Sequence, residues 1–417
     1  MESCFAPSHS LRRLDDDGVS YDFAELDAHS SASCKNGVRE AARNKRKKPN
    51  FFVSICLQTK NKGGLGFLQQ LSRILSWCQQ SLFPSLEETV GPLSPRLGRF
   101  AMVIELVPLE DHVVRRPYGV RGRPRADRRA LARAFLAKAV LNLPDTRSLI
   151  DYLCESVTVR RLCGWSRRGE IPSEATFSRA FAEFAATDLP QRLHEAVIRR
   201  WESDRLVGHI CRDATSIRAR EKPLSRRAKP KRKQGKNRRI FKQCHEMTLD
   251  EMIDDLPKHC DVGRKHNSKG RMEQWAGYSL HVDWADGEIP ISCLLTSASM
   301  HDSQAAIPLA RISEQRVTNL YDIMDAAYDD TLIREHSISL NHVPIIDSNP
   351  RSKSKSKFDP AKARRYLQRA IAERGFSRIK DSFGARFVRV RGHPKVFAHL
   401  MFGILALTVE QLLRAAS

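Results

Sequence analysis

The chain has 417 residues, 41% hydrophobic and 7% aromatic, enough for two or three domains with a sizeable buried core. Its 71 Lys and Arg against 48 Asp and Glu leave a formal charge of +23, which favours a polyanionic partner, nucleic acid before an anionic membrane surface. Ten cysteines without a Cys-x-x-Cys pair or clustering do not form a disulfide framework and fit a reducing cytoplasm.

The N-terminal MESCFAPSHSLRRLDDDG places acids where an export signal needs an apolar core, so no such signal is expected. Residues 1–100 hold Ser-rich and acidic patches, the basic RNKRKK and one amphipathic stretch, GFLQQLSRILSWCQQSLF, and are expected to form a poorly ordered extension. Met102 opens MVIELVPLEDHV, which reads as a domain start and makes Met102 a candidate start of the working protein. Residues 101–205 are expected to form an all-helical domain. Leu131, Phe135, Ala139 and Leu143 fall on one stripe at helical spacing, Asp145 can cap the next helix, and Ser173 can cap another. Periodicity leaves a helix-turn-helix DNA-reading domain and a plain bundle with solvated arginines equally open.

From residue 206 the pattern becomes β-rich. RLVGHICRDATSI reads as a strand, and GYSLHVDWADGEIPISCLLTSA as a hairpin turning at Asp286-Gly287. A helix, the strand NLYDIMDAAY, a further helix and the strand HVPIID follow, which indicates a mixed α/β sheet over 206–417. Within it, 218–276 is a basic insertion whose PLSRRAKPKRKQGKNRRIFK reads as a flexible, phosphate-contacting arm. The apolar run Val396 to Leu413 is interrupted by His399, Glu410 and Gln411 and reads as a buried helix, not a membrane span. Cys244, His245, His259, Cys260 and His266 match no common zinc spacing.

Two acids lie in or at the end of strands: Asp213 in ICRDATS and Asp325 in IMDAAYDD. Asp329 and Asp330 read as caps for the helix that follows. A carboxylate inside a buried strand is costly unless paired or bound to a cation, so Asp213 resists that explanation. A third acid, Glu373, stands among basic residues in RYLQRAIAERGFSRIKDSFG. Asp359-Pro360 and Gly384 bracket one expected helix over 360–383. On it Tyr366, Arg369, Glu373 and Lys380 fall within roughly 60° of one another at about 100° per residue. A solvated face satisfies the same pattern, but does not call for Gly375 inside the helix at about 1 kcal/mol.

Tyr366-x2-Arg369-x3-Glu373-x6-Lys380 resembles the signature around the third acid of DDE-type insertion-sequence transposases. MDAAYDD is similar to their second-acid segment, CRDATSI to their first, and the GYSLHVDW…SASMHDSQ stretch to the run before the second acid. The resemblance covers roughly 120–415 and includes the upstream helices. It implies an α/β, RNase H-like mixed sheet with flanking helices, preceded by an all-helical N-terminal DNA-binding domain. It implies Asp213, Asp325 and Glu373 as a catalytic, metal-binding triad for two Mg²⁺ ions, with Mn²⁺ able to substitute, spaced about 3.5–4 Å apart. Tyr366, Arg369 and Lys380 would contact DNA, and His301-Asp302 would lie near the pocket, unless it only caps the helix after it. Implied partners are double-stranded DNA, both transposon ends and target, and further copies of the chain at synapsis; no membrane is expected. The short gap from Asp325 to Glu373 leaves no room for the large β-rich insertion of some relatives, and residues 1–100 have no counterpart. A decayed transposase that only binds DNA, and a nuclease that only cuts, are the competing readings.

Overall fold

Helix formation begins earlier than the expected boundary at residue 100. α1 (Pro95–Leu106) is capped by Ser94, whose hydroxyl accepts from the Leu97 N–H, and has Pro95 in its first turn. Phe100, Val103 and Leu106 recur at helical spacing and are all buried, so the helix packs on the core from its middle to its end. The computed structural model describes residues 93–113, 125–225, 235–266, 270–349 and 358–416. The amphipathic stretch near the N-terminus and basic residues 226–234 lie outside the described residues.

The helical layer continues with α2 (Arg128–Val140), α3 (Thr146–Glu155), α4 (Val157–Cys163), α5 (Glu174–Ala186) and α6 (Leu189–Glu202). Asp145 caps α3 as expected, accepting from the Ser148 N–H at 2.9 Å. Ser173 stands at the N-cap of α5, but its hydroxyl pairs with Thr176 rather than with a backbone N–H.

The sheet contains β1 (Leu206–Ala219), β2 (Asp261–His266), β3 (Met272–Ala285), β4 (Ile289–Ser297), β5 (Thr318–Met324), β6 (Val343–Ile346) and the short β7 (Phe387–Val388). β1 is central, antiparallel to β3 and parallel to β5, and β5 is parallel to β6. β4 pairs with the second half of β3 and β2 with its first half. The expected hairpin is present, with Gly287 at φ 83° in its turn. β2 and β7 were not legible in the sequence.

The described part of the basic insertion after residue 234 is helical up to β2. α7 (Lys236–His245) and α8 (Leu249–Asp255) precede β2. Ile240 is fully buried, and Arg239 pairs with Asp255 and with the Gln304 amide. One apolar residue and one buried guanidinium therefore dock a helix whose composition alone reads as solvated.

Beyond β4 come α9 (Ala306–Glu314) and α10 (Thr331–Ser339), then α11 (Pro360–Tyr366), α12 (Ala370–Ser382) and α13 (His393–Ala416). Asp330 caps α10 as expected, whereas Asp329 pairs with Arg334. α13 is the one helix among the described residues long and apolar enough to cross a membrane, yet it is mostly buried inside the protein. One of its faces (Val396, Leu400, Ile404, Leu407) joins the core under the sheet; the other (Phe402, Leu405, Val409, Leu412) joins the helical layer. A helix buried on both faces is apolar all round. Val207, Ile210, Ile289 and Ile291 of the sheet belong to the same core as the helices, so one core runs across residue 205, while the other cores lie beyond it.

Candidate active site

β1 carries Asp213 opposite Val282 of β3, and its pairing with β5 ends at Arg212 opposite Met324. The next residue on each chain is an aspartate. Asp213 and Asp325 therefore stand side by side where β5 ends, the edge of an open α/β sheet at which ligands bind. Asp325 also caps the 3₁₀ turn Ala326–Tyr328, accepting from the Ala327 N–H at 2.9 Å.

The expected helix over 360–383 is broken. A 3₁₀ turn, Leu367–Arg369, separates α11 from α12, and the Cys211 thiol donates to the Gln368 carbonyl at 3.3 Å. The ends match expectation: Asp359 accepts from the Lys362 N–H, and Gly384 adopts φ 78°. Gly375 has a packing explanation, because a Cβ there would lie 2.4 Å from the fully buried Trp284 ring. α12 approaches the sheet closely through that glycine, with Phe376 edge-on to Trp284 at 5.3 Å.

This docking brings Arg369 into the middle of the three acids. Its guanidinium lies 3.4 Å from Asp213, 3.7 Å from Asp325 and 3.1 Å from Glu373. Asp213 is 8% exposed, and burial pushes its carboxyl up to about 6; Arg369 opposes that shift and Asp325 adds to it. Burial would discharge Arg369, but Asp213 and Asp325 outweigh it and hold the guanidinium above its ordinary value. Glu373 is largely exposed, so its pair with Arg369 is the weakest of the three.

The other stripe residues divide. Tyr366, the last residue of α11 before the helix break, is half-buried against Phe358 at 5.1 Å and in electrostatic reach of Asp325 and Asp213. Lys380 sits at the far end, where burial and the charges of Arg386, Lys265 and Arg218 lower its pKa. The stripe thus joins the acids at one end and basic residues at the other. His209 pairs with Asp286 and stacks on Tyr321, over which the Arg365 guanidinium lies at 4.0 Å, pinning α11 to the sheet.

Sequence reasoning missed the support behind Asp213. Arg212 and Asp283 form a fully buried bidentate pair at 2.8 Å, and the Ser313 hydroxyl donates to Asp283 at 2.6 Å. Charged residues inside two apolar strand runs were the available signal, since buried charges require partners. Lys265 on β2, in electrostatic reach of Asp213, was missed because its strand was.

Among the described residues no group of three or more His, Cys, Asp or Glu stands close enough to hold a metal ion as arranged; the acids are spread around a cation, Arg369. Their chemistry nevertheless fits one: an all-carboxylate donor set, one member buried and costly to ionise, suits a hard divalent ion. The cysteine and histidine pairs weighed for zinc are apart, with the Cys244 thiol near the Leu332 carbonyl and the Cys260 thiol donating to the Glu221 carbonyl.

Residues 208–409 match the family described as Transposase DDE domain, and residues 85–183 match the family described as Transposase domain (DUF772). No curated protein and no solved structure matches the chain.

Proposed function

The chain belongs to the DDE-type insertion-sequence transposases and carries their RNase H-like mixed sheet, and on that premise we propose that it binds transposon ends, cleaves them and joins them to target DNA. The observation that carries this reading is the convergence of Asp213, Asp325 and Glu373 on one guanidinium from a strand, a strand end and a helix. These three acids are the metal ligands and catalytic residues of the proposal. Two Mg²⁺ ions, or Mn²⁺, would activate the attacking oxygen and stabilise the leaving one.

The chain's own residues have separate tasks. Asp213 and Asp325 offer oxygen donors from neighbouring strands, and the buried Arg212–Asp283 pair fixes the strand beneath Asp213. Arg369 neutralises the acids in the free protein and turns to a phosphate when DNA arrives, since it serves either anion through the same fork. Tyr366 stacks on or hydrogen-bonds to terminal nucleotides, and Lys380, with Lys265 and Arg218 near it, holds the DNA backbone further along. The helices of residues 93–205 form the proposed DNA-binding region, and synapsis of two ends calls for more than one copy of the chain.

The test is cleavage and joining of the element's own ends in Mg²⁺. Glu373→Gln should lower both steps by at least ~100-fold, the scale for losing one electrostatic stabiliser of a transition state, while end binding persists. Full strand transfer by that variant would remove Glu373 from the triad. Parent protein that binds ends but never cuts them in Mg²⁺ or Mn²⁺ would support the DNA-binding reading instead, and cutting without joining the nuclease.

A further inference from the structure

Asp302 has no task in the arrangement above. It opens the 3₁₀ turn Asp302–Ala305, which packs against the Ala326–Tyr328 turn directly after Asp325. His301, not Asp302, supplies the cap of that turn, its ring nitrogen accepting from the Ser303 N–H. The Asp302 carboxylate lies in electrostatic reach of Asp325, Lys265 and His301.

Tyr328 is an independent sign of a ligand at this place. Its ring is 1% exposed, in a cluster with Ala306, Ile307 and Met324, and its hydroxyl is buried without a hydrogen-bond partner. An unsatisfied buried hydroxyl is destabilising, and phenylalanine would fill the same space without that cost. The phenolic oxygen lies in electrostatic reach of Asp302, Asp213 and Asp325 together. A buried hydroxyl donor beside several carboxylates gains a partner when a bound cation gathers them and their waters.

Resting on the metal-ion reading of the triad, we propose that Asp302 is a fourth carboxylate of the cation site and that Tyr328 is the buried donor that orients it. Lys265, in reach of both Asp302 and Asp213, guards the same edge until a cation or phosphate displaces it.

The experiment measures Mn²⁺ binding to the full chain without DNA, from the paramagnetic resonance of free Mn²⁺, with denaturation in chelator as a second readout. Asp302→Asn and Tyr328→Phe should each weaken Mn²⁺ about 10-fold or more, the usual effect of removing a supporting partner at a metal site. Tyr328→Phe should also leave the chelated protein at least as stable as the parent, because a purely structural tyrosine would lose stability. Parent-like Mn²⁺ affinity in both variants, with loss in Asp325→Asn, overturns this inference and leaves the triad intact. Parent-like affinity in Asp325→Asn as well overturns the triad reading and this inference with it.

Discussion

Asp213→Asn should stabilise the cation-free protein above neutral pH while abolishing its chemistry. In the fold this carboxyl is pushed up to about 6 from 3.8, first by burial, with Arg369 opposing and Asp325 adding. At about 1.4 kcal/mol per pH unit, a charged Asp213 costs the fold roughly 3 kcal/mol. The folded form holds the proton more tightly than the unfolded one, so the cost is absent below about pH 4, grows as pH rises toward about 6 and is complete above it. Asparagine has no charge to desolvate and can still accept from the Ala214 N–H, now 2.8 Å from the carboxylate. That cost is already net of the attraction of Arg369 at 3.4 Å, which asparagine forgoes. The expectation is a gain of about 2–3 kcal/mol at pH 8 and little at pH 4. Urea denaturation in chelator at pH 4, 6 and 8 measures it, and Mg²⁺ should erase the difference by stabilising only the parent. An asparagine variant less stable than the parent at pH 8, or shifted equally at both extremes, would refute the argument.

Gly375→Ala places a Cβ against the Trp284 ring and should destabilise by about 1–3 kcal/mol, more than the helix propensity it gains; an unchanged urea midpoint would mean that α12 stands further from the sheet. Lys380→Ala should weaken end binding for every sequence alike and reduce the salt slope by about one, read by fluorescence anisotropy across salt concentrations. A chain begun at Met102 lacks the Ser94 cap and the buried Phe100. It should lose about 3–5 kcal/mol relative to the full chain in urea melts, and equal stability of the two would show that neither the cap nor Phe100 secures α1. Arg212→Met leaves Asp283 charged and buried, and should cost about 3–5 kcal/mol by denaturant melts; a neutral result would show that Ser313 alone satisfies the carboxylate.

What could be determined from sequence was local. The hairpin at Asp286-Gly287, the caps at Asp145 and Asp359, and the Arg369–Glu373 pair each follow from spacings of a few residues, where backbone period dictates which groups meet. The mixed sheet was legible because its longer strands are apolar and bounded by turn residues. Tertiary structure decided the rest. Asp213 and Asp325 become neighbours only through the parallel pairing of β1 with β5, which no local signal specifies. The helix break at Leu367–Arg369, the docking of α7 through Ile240 and the late strand β7 answer partners distant in sequence. Gly375 looked like a functional clue, but Trp284, far away in the chain, accounts for it by packing. The lone acid among arginines was visible as an oddity; that one of those arginines lies between it and two strand aspartates depends on how the sheet packs against α12, because charge complementarity acts across space and not along the chain.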